Sequence, residues 1–182
     1  MAVLNSSITT QRAREDRAIY RATRVLEGRL RAPGEAMNGT NAVRQFLVLS
    51  LAGYEREVFS ALWVDAQYRM IAAEHLFAGT LTQTSVYPRE VVRRCLHHNA
   101  AAVIFAHNHP SGSLRPSDAD IELTQVLRRA LDLVDVQVLD HFIVAGVEAF
   151  SFAENRLLGQ VNTTTPDNSL PKKGRNKARA KA

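Results

Sequence analysis

Six apolar residues, Ala101–Ala106, run straight into His107-Asn108-His109-Pro110-Ser111-Gly112-Ser113-Leu114-Arg115-Pro116, and the polar opening Ser117-Asp118-Ala119-Asp120 follows at once. A short apolar run bounded by polar residues reads as a buried strand. Side chains alternate across a strand, so His107 and His109, two apart at its exit, project from the same side. That spacing suits chelation of one ion. Two prolines and a glycine make the following loop stiff and sharply turned. Asp120 then falls on the first turn of a helix, near the positive end of its dipole. If the loop folds back, Asp120 supplies a third, oxygen ligand. Two neutral imidazoles, one carboxylate and an open fourth position describe a catalytic zinc centre and not a closed structural one. Zinc in such a centre lowers the pKa of its water to about 7 and polarises a carbonyl.

Each half of this stretch has a plainer reading. Ser117-x-x-Asp120 is a capping-box variant that needs no metal to justify it, and a lone histidine is more often a satisfied polar residue than a ligand. The conjunction within fourteen residues favours the metal, because two polar rings at the end of an apolar strand are costly to bury unpaired. Other histidine chemistries fail on spacing. The nuclease motif named His-Asn-His spreads its residues through a ββα element, and a His-x-His-x-Asp-His hydrolase needs acid and histidine where Ser111 and Gly112 stand. Zinc deaminases need Pro-Cys-x-x-Cys, and no His-Glu-x-x-His is present.

The 182 residues suggest about one domain. The sole cysteine, Cys95, rules out an internal disulfide and a zinc site of several thiolates, and it suits a reducing interior. Apolar runs stop well short of the ~18 residues of a membrane span, and Met1–Thr10 lacks the pattern of a secretory signal. A soluble, cytoplasmic protein without membrane contact is expected. Its net charge of +5 resides in residues 160–182, which hold six basic residues and one acid, so the body is neutral. A neutral body with a cationic tail has no broad basic face for nucleic acid; the tail is expected to be disordered and to touch phosphates only weakly.

Periodicity predicts helices over 12–31, with Ile19, Ala22, Thr23, Leu26 and Leu30 on one side and a stop at Pro33-Gly34, and from the Asn38–Asn41 cluster to about Gly53. A strand over Val58–Val64 and a hairpin partner over Arg69–Phe77 follow. Then come a helix from Pro88 to about His98, the buried strand, a helix over 117–132 with Ile121, Leu123, Thr124, Leu127 and Leu131, strands over Val136–Val144 and Ala149–Phe152, and a short helix at 153–158. The order implies one α/β domain around a mixed sheet. Division is expected into an N-terminal helical segment (1–38), the domain itself (39–159) and a basic tail (160–182).

His107-x-His109, seven residues, Ser117-x-x-Asp120 resembles the JAMM (MPN+) metalloprotease motif in every position. Phe77-Ala78-Gly79-Thr80, Val86-Tyr87-Pro88-Arg89-Glu90-Val91, Asn99-Ala100-Ala101-Ala102-Val103, His107–Gly112 and Leu139-Asp140-His141 resemble the bacterial RadC family over about residues 15–158. The resemblance implies a JAMM/MPN-like, cytidine-deaminase-like single domain, a mixed sheet flanked by helices, holding one Zn2+ and cleaving peptide or isopeptide bonds of a peptide or protein substrate. Longer RadC relatives carry an N-terminal helix-hairpin-helix domain that this chain is expected to lack, as in the short form on mobile elements and prophages, and that weakens a DNA-repair reading. The alternative is a non-catalytic binding module linked to DNA repair or mobile-element function.

The motif also requires an upstream glutamate as proton shuttle. Glu57, immediately before Val58-Phe59-Ser60-Ala61-Leu62, stands where the family's glutamate stands, with Glu55 as the fallback two residues earlier on the same strand face. The resemblance gives Ser117 the role of bonding the tetrahedral oxyanion. Asp140 and His141 either orient a zinc ligand or satisfy one another at a strand edge. Trp63 reads as core, and Arg89-Glu90 and Arg93-Arg94 as a solvated helix face.

Overall fold

Strands β1 (Val58–Val64) and β3 (Ala102–Asn108) are buried along their whole length, which is why both read as continuous apolar runs and not as alternating ones. They pair antiparallel at the centre of a five-stranded sheet, Phe59 opposite His107 and Val64 opposite Ala102. The computed structural model describes residues 2–32, 40–79 and 85–159. Pro33-Gly34, Asn38-Gly39, Thr80 and the whole tail from residue 160 lie outside the described residues.

Helix α1 (Ala2–Arg31) and helix α2 (Thr40–Leu51) precede β1; β2 (Met70–Ala78) and helix α3 (Pro88–His97) lie between β1 and β3. Helix α4 (Asp118–Asp132) then leads to β4 (Gln137–Ala145) and β5 (Glu148–Ser151). The sheet order is β2-β1-β3-β4-β5, and β3–β4 is its one parallel pair. Parallel neighbours need a crossover connection, and here the loop at 109–117 and α4 form it. The predicted α/β architecture, a mixed sheet flanked by helices, is the observed one. No described helix is long and apolar enough to cross a membrane.

Alternation along the strands builds two cores. Val58, Leu62, Ile104, Ala106, Phe142 and Val144 pack with Leu26, Leu30, Phe46, Leu47 and Leu51 of α1 and α2. Phe59, Ala61, Trp63, Val103, Phe105 and Val138 pack with Val91, Cys95, Leu127 and Leu131 of α3 and α4. Trp63 is fully buried, as expected of a core residue, and its Nε1 donates to Glu74 Oε2 at 2.9 Å. Arg94 does not belong to a solvated face: its Nε donates to the same carboxylate at 3.0 Å, while Arg89 and Arg93 are exposed.

Two expectations need correction. The α1 stripe is buried only at Leu26 and Leu30, where the helix joins the core with α2; Ile19 is 45% exposed and Ala22 is exposed. The helix expected at 153–158 is a series of turns. Arg156 has φ +58°, and the amides of 155, 156 and 157 reach back four, three and five residues, so no helical repeat is established.

Candidate metal centre

His107 lies fully buried one residue before the end of β3, and His109 stands one residue past the strand, its amide still bonded to Val144 O of β4 at 2.8 Å. Their rings face one side, as strand alternation requires, with Nε2 atoms 3.0 Å apart. The loop at 110–116 returns the chain so that Asp120, in the first turn of α4, faces both. Its Oδ1 lies 3.3 Å from His107 Nε2 and its Oδ2 3.6 Å from His109 Nε2. Ligand atoms about 2.1 Å from a tetrahedral ion stand roughly 3.4 Å from one another. The separations of His107 Nε2 from His109 Nε2 and from Asp120 Oδ1 lie just under that value, and these three residues form a group able to hold a metal ion.

The capping reading and the metal reading coexist. Ser117 Oγ accepts from Asp120 N at 3.1 Å, and Asp120 Oδ2 accepts from Ser117 N at 2.8 Å, a complete capping box. Ser117 Oγ also donates to Asp120 Oδ2 at 2.7 Å. The cap therefore fixes the carboxylate while leaving Oδ1 turned to His107. Burial opposes ionisation of Asp120, but its bonds to Ser117 and, once the facing rings carry a proton, to His107 and His109 outweigh it and hold the carboxyl far below the usual carboxylate range.

Hydrogen bonds behind the ligands fix where the protons sit. Thr124 Oγ1 donates its single proton to Asp120 O at 2.6 Å, so it must accept from His141 Nδ1, 2.6 Å away. His141 is wholly buried, and burial holds it well below its ordinary pKa, hence neutral. Its Nε2 then accepts, and His107 Nδ1, 2.9 Å away, donates. His109 Nδ1 must likewise donate to Ser113 O, at 2.7 Å, since a carbonyl only accepts. Both Nε2 atoms are thus left as facing lone pairs beside a carboxylate. Such a cluster calls for one positive charge between its atoms, from a proton or a metal ion. With a proton as the occupant, the bond to Asp120 leads in raising His109 above its ordinary value, against burial, with help from Ser113 O and the charges of Asp120 and Glu57.

Glu57 is half-buried at the entry to β1, near enough to these rings for its charge to bear on His109. Its carbonyl accepts from Gly79 N at 2.9 Å. Glu55 is exposed and lies in a bend before β1, so the shared strand face expected for the two glutamates does not exist. Asp140 and His141 separate in role: His141 backs His107, whereas Asp140 accepts from its neighbour's amide, Ala153 N and Ser151 Oγ, and so closes the turns after β5. Burial pushes Asp140 up despite these bonds. Sequence reasoning missed Thr124, which reads as one more residue of the buried face of α4, and the side chain of Asn108.

The sequence pattern described as "RadC-like JAB domain" matches residues 37–157. The chain is 62% identical over 137 residues to the UPF0758 protein Nmul_A2138 of Nitrosospira multiformis, covering 75% of this chain and 61% of that one. It is 52% identical over 140 residues to the UPF0758 protein YeeS of Escherichia coli (77% and 95% covered) and 55% identical over 142 residues to YkfG of the same organism (78% and 90%). It thus spans about three fifths of the longer relative and nearly all of the two shorter ones.

Proposed function

The chain belongs to the RadC-like JAB domain family, and from that premise we propose that it is a zinc-dependent hydrolase of peptide or isopeptide bonds. The observation that carries the reading is the convergence of two Nε2 lone pairs and a carboxylate oxygen at one point. His107, His109 and Asp120 would hold one Zn2+. Bound there, the ion would supply Lewis acidity toward the scissile carbonyl and toward water.

The chain's own residues supply the rest. Glu57 accepts the proton of the attacking water and passes it to the leaving amine. Ser117 donates to the oxyanion that develops on the substrate carbonyl; because its one hydroxyl proton rests on Asp120 Oδ2, this requires the hydroxyl to turn as substrate arrives. Thr124 and His141 hold His107 in the tautomer that presents Nε2. A single buried cysteine, Cys95, fits a cytoplasmic setting.

The test is cleavage of a peptide library by the zinc-loaded protein. Glu57→Gln is expected to keep zinc and lose hydrolysis, and His107→Ala to lose both. Hydrolysis by Glu57→Gln at the wild-type rate removes Glu57 from the mechanism.

A further inference from the structure

Asn108 lies between the two histidines, on the last position of β3, and strand alternation turns its side chain to the opposite face. It is 3% exposed. Its whole amide is spent on one segment: Nδ2 donates to Tyr54 O at 3.1 Å and to Arg56 O at 3.0 Å, and Oδ1 accepts from Val58 N at 2.8 Å. A primary amide has two N–H donors and one carbonyl oxygen, and each of them is used. Glu57 sits between two of the gripped backbone groups, the carbonyl before it and the amide after it.

Residues 52–57 form turns and bends with no helix or strand ladder to set their course. Position there depends on anchors such as these three bonds and the one from Gly79 N to Glu57 O. The strand that delivers both imidazoles therefore also sets the backbone that delivers the glutamate. We propose that Asn108 is a positioning residue that registers Glu57 to the metal centre. The proposal rests on the reading of Glu57 as the base, and it concerns a task for which misplacement by about 1 Å can cost on the order of 100-fold in rate. Aspartate would offer no donor to two carbonyls, and serine or threonine has one proton for two acceptors.

The test uses the full chain loaded with Co2+, whose visible absorption reports the surroundings of the ion, followed against pH in wild type, Glu57→Gln, Asn108→Ala and Asn108→Thr. Cobalt content and circular dichroism accompany each protein; threonine, a strand-favouring residue, carries the comparison should the alanine variant fail to fold. A carboxylate held near the ion opposes loss of a proton beside it, so Glu57→Gln is expected to lower the midpoint by roughly 0.5–1 pH unit. The Asn108 variants are expected to move it the same way with one cobalt per chain retained, and to add nothing in combination with Glu57→Gln. Asn108 variants that titrate as wild type while Glu57→Gln shifts overturn the clamp alone. A Glu57→Gln protein that titrates as wild type overturns the role of Glu57, and the clamp with it.

Discussion

His107 Nδ1 and His141 Nε2 stand 2.9 Å apart inside the domain, and the bond between them decides which nitrogen of His107 remains for a ligand. The relay continues through His141 Nδ1 and Thr124 Oγ1 to the carbonyl of Asp120, so two of the three candidate ligands are tied together behind the site. Replacing His141 by Phe leaves the Nδ1–H of a buried ring without its acceptor. Loss of such an outer partner typically weakens metal binding by about 10–100-fold. His141→Phe is expected to show that drop in competition with a chelator of known affinity, and Thr124→Val a smaller one. Unchanged affinity in both would mean that His107 holds its orientation unaided.

Ser117 serves two ends that a single variant separates. Ser117→Ala removes the cap of α4, with an expected loss of about 1 kcal/mol in urea denaturation, while zinc is retained. If the hydroxyl also steadies the substrate oxyanion, turnover falls by roughly 100–1,000-fold. A stability loss with undiminished turnover assigns Ser117 to the cap alone.

Stability should depend on pH through histidines held neutral in the fold. His98, stacked on Trp63, is lowered below its ordinary 6.5 by burial and by the Arg94 charge, and His141 is lowered further still. A lowered histidine takes up fewer protons folded than unfolded, so its effect on stability turns unfavourable as pH falls below about 6.5. In metal-free protein His109 works in reverse: raised, it adds stability at acid pH that is lost as pH rises through its folded pKa. Comparison of wild type with His98→Gln between pH 5 and 8 isolates the first effect. The variant is expected to lose less stability on acidification; an equal or steeper loss contradicts the assignment.

The basic tail separates hydrolase from binding module. Deletion of residues 160–182 removes the whole net charge of +5. As a hydrolase, the truncated protein is expected to cleave as before. As a DNA-binding module, it is expected to lose a salt-sensitive affinity, read by fluorescence anisotropy on duplex DNA at 50 and 200 mM salt.

The candidate ligands were legible because they are local: His107, His109 and Asp120 fall within fourteen residues, and strand alternation and a helix start place them without knowledge of the rest. The central strands were legible because burial on both faces leaves a continuous apolar run. Thr124 and His141 meet across 17 residues and His141 and His107 across 34, and a threonine on the buried face of α4 carries no local mark of its bond. Asn108 reaches back 50 to 54 residues for its partners, beyond any local pattern. The exposed part of the α1 stripe misled for the opposite reason, since Ile19 and Ala22 keep helical spacing yet stay exposed among the described residues.

Zinc content after dialysis of the purified chain against excess Zn2+ and then metal-free buffer tests the centre most directly. One zinc per chain is expected in wild type, with essentially none in His107→Ala or His109→Ala. A wild-type protein that keeps no zinc, or histidine variants that keep as much as wild type, would contradict a metal centre built from these residues.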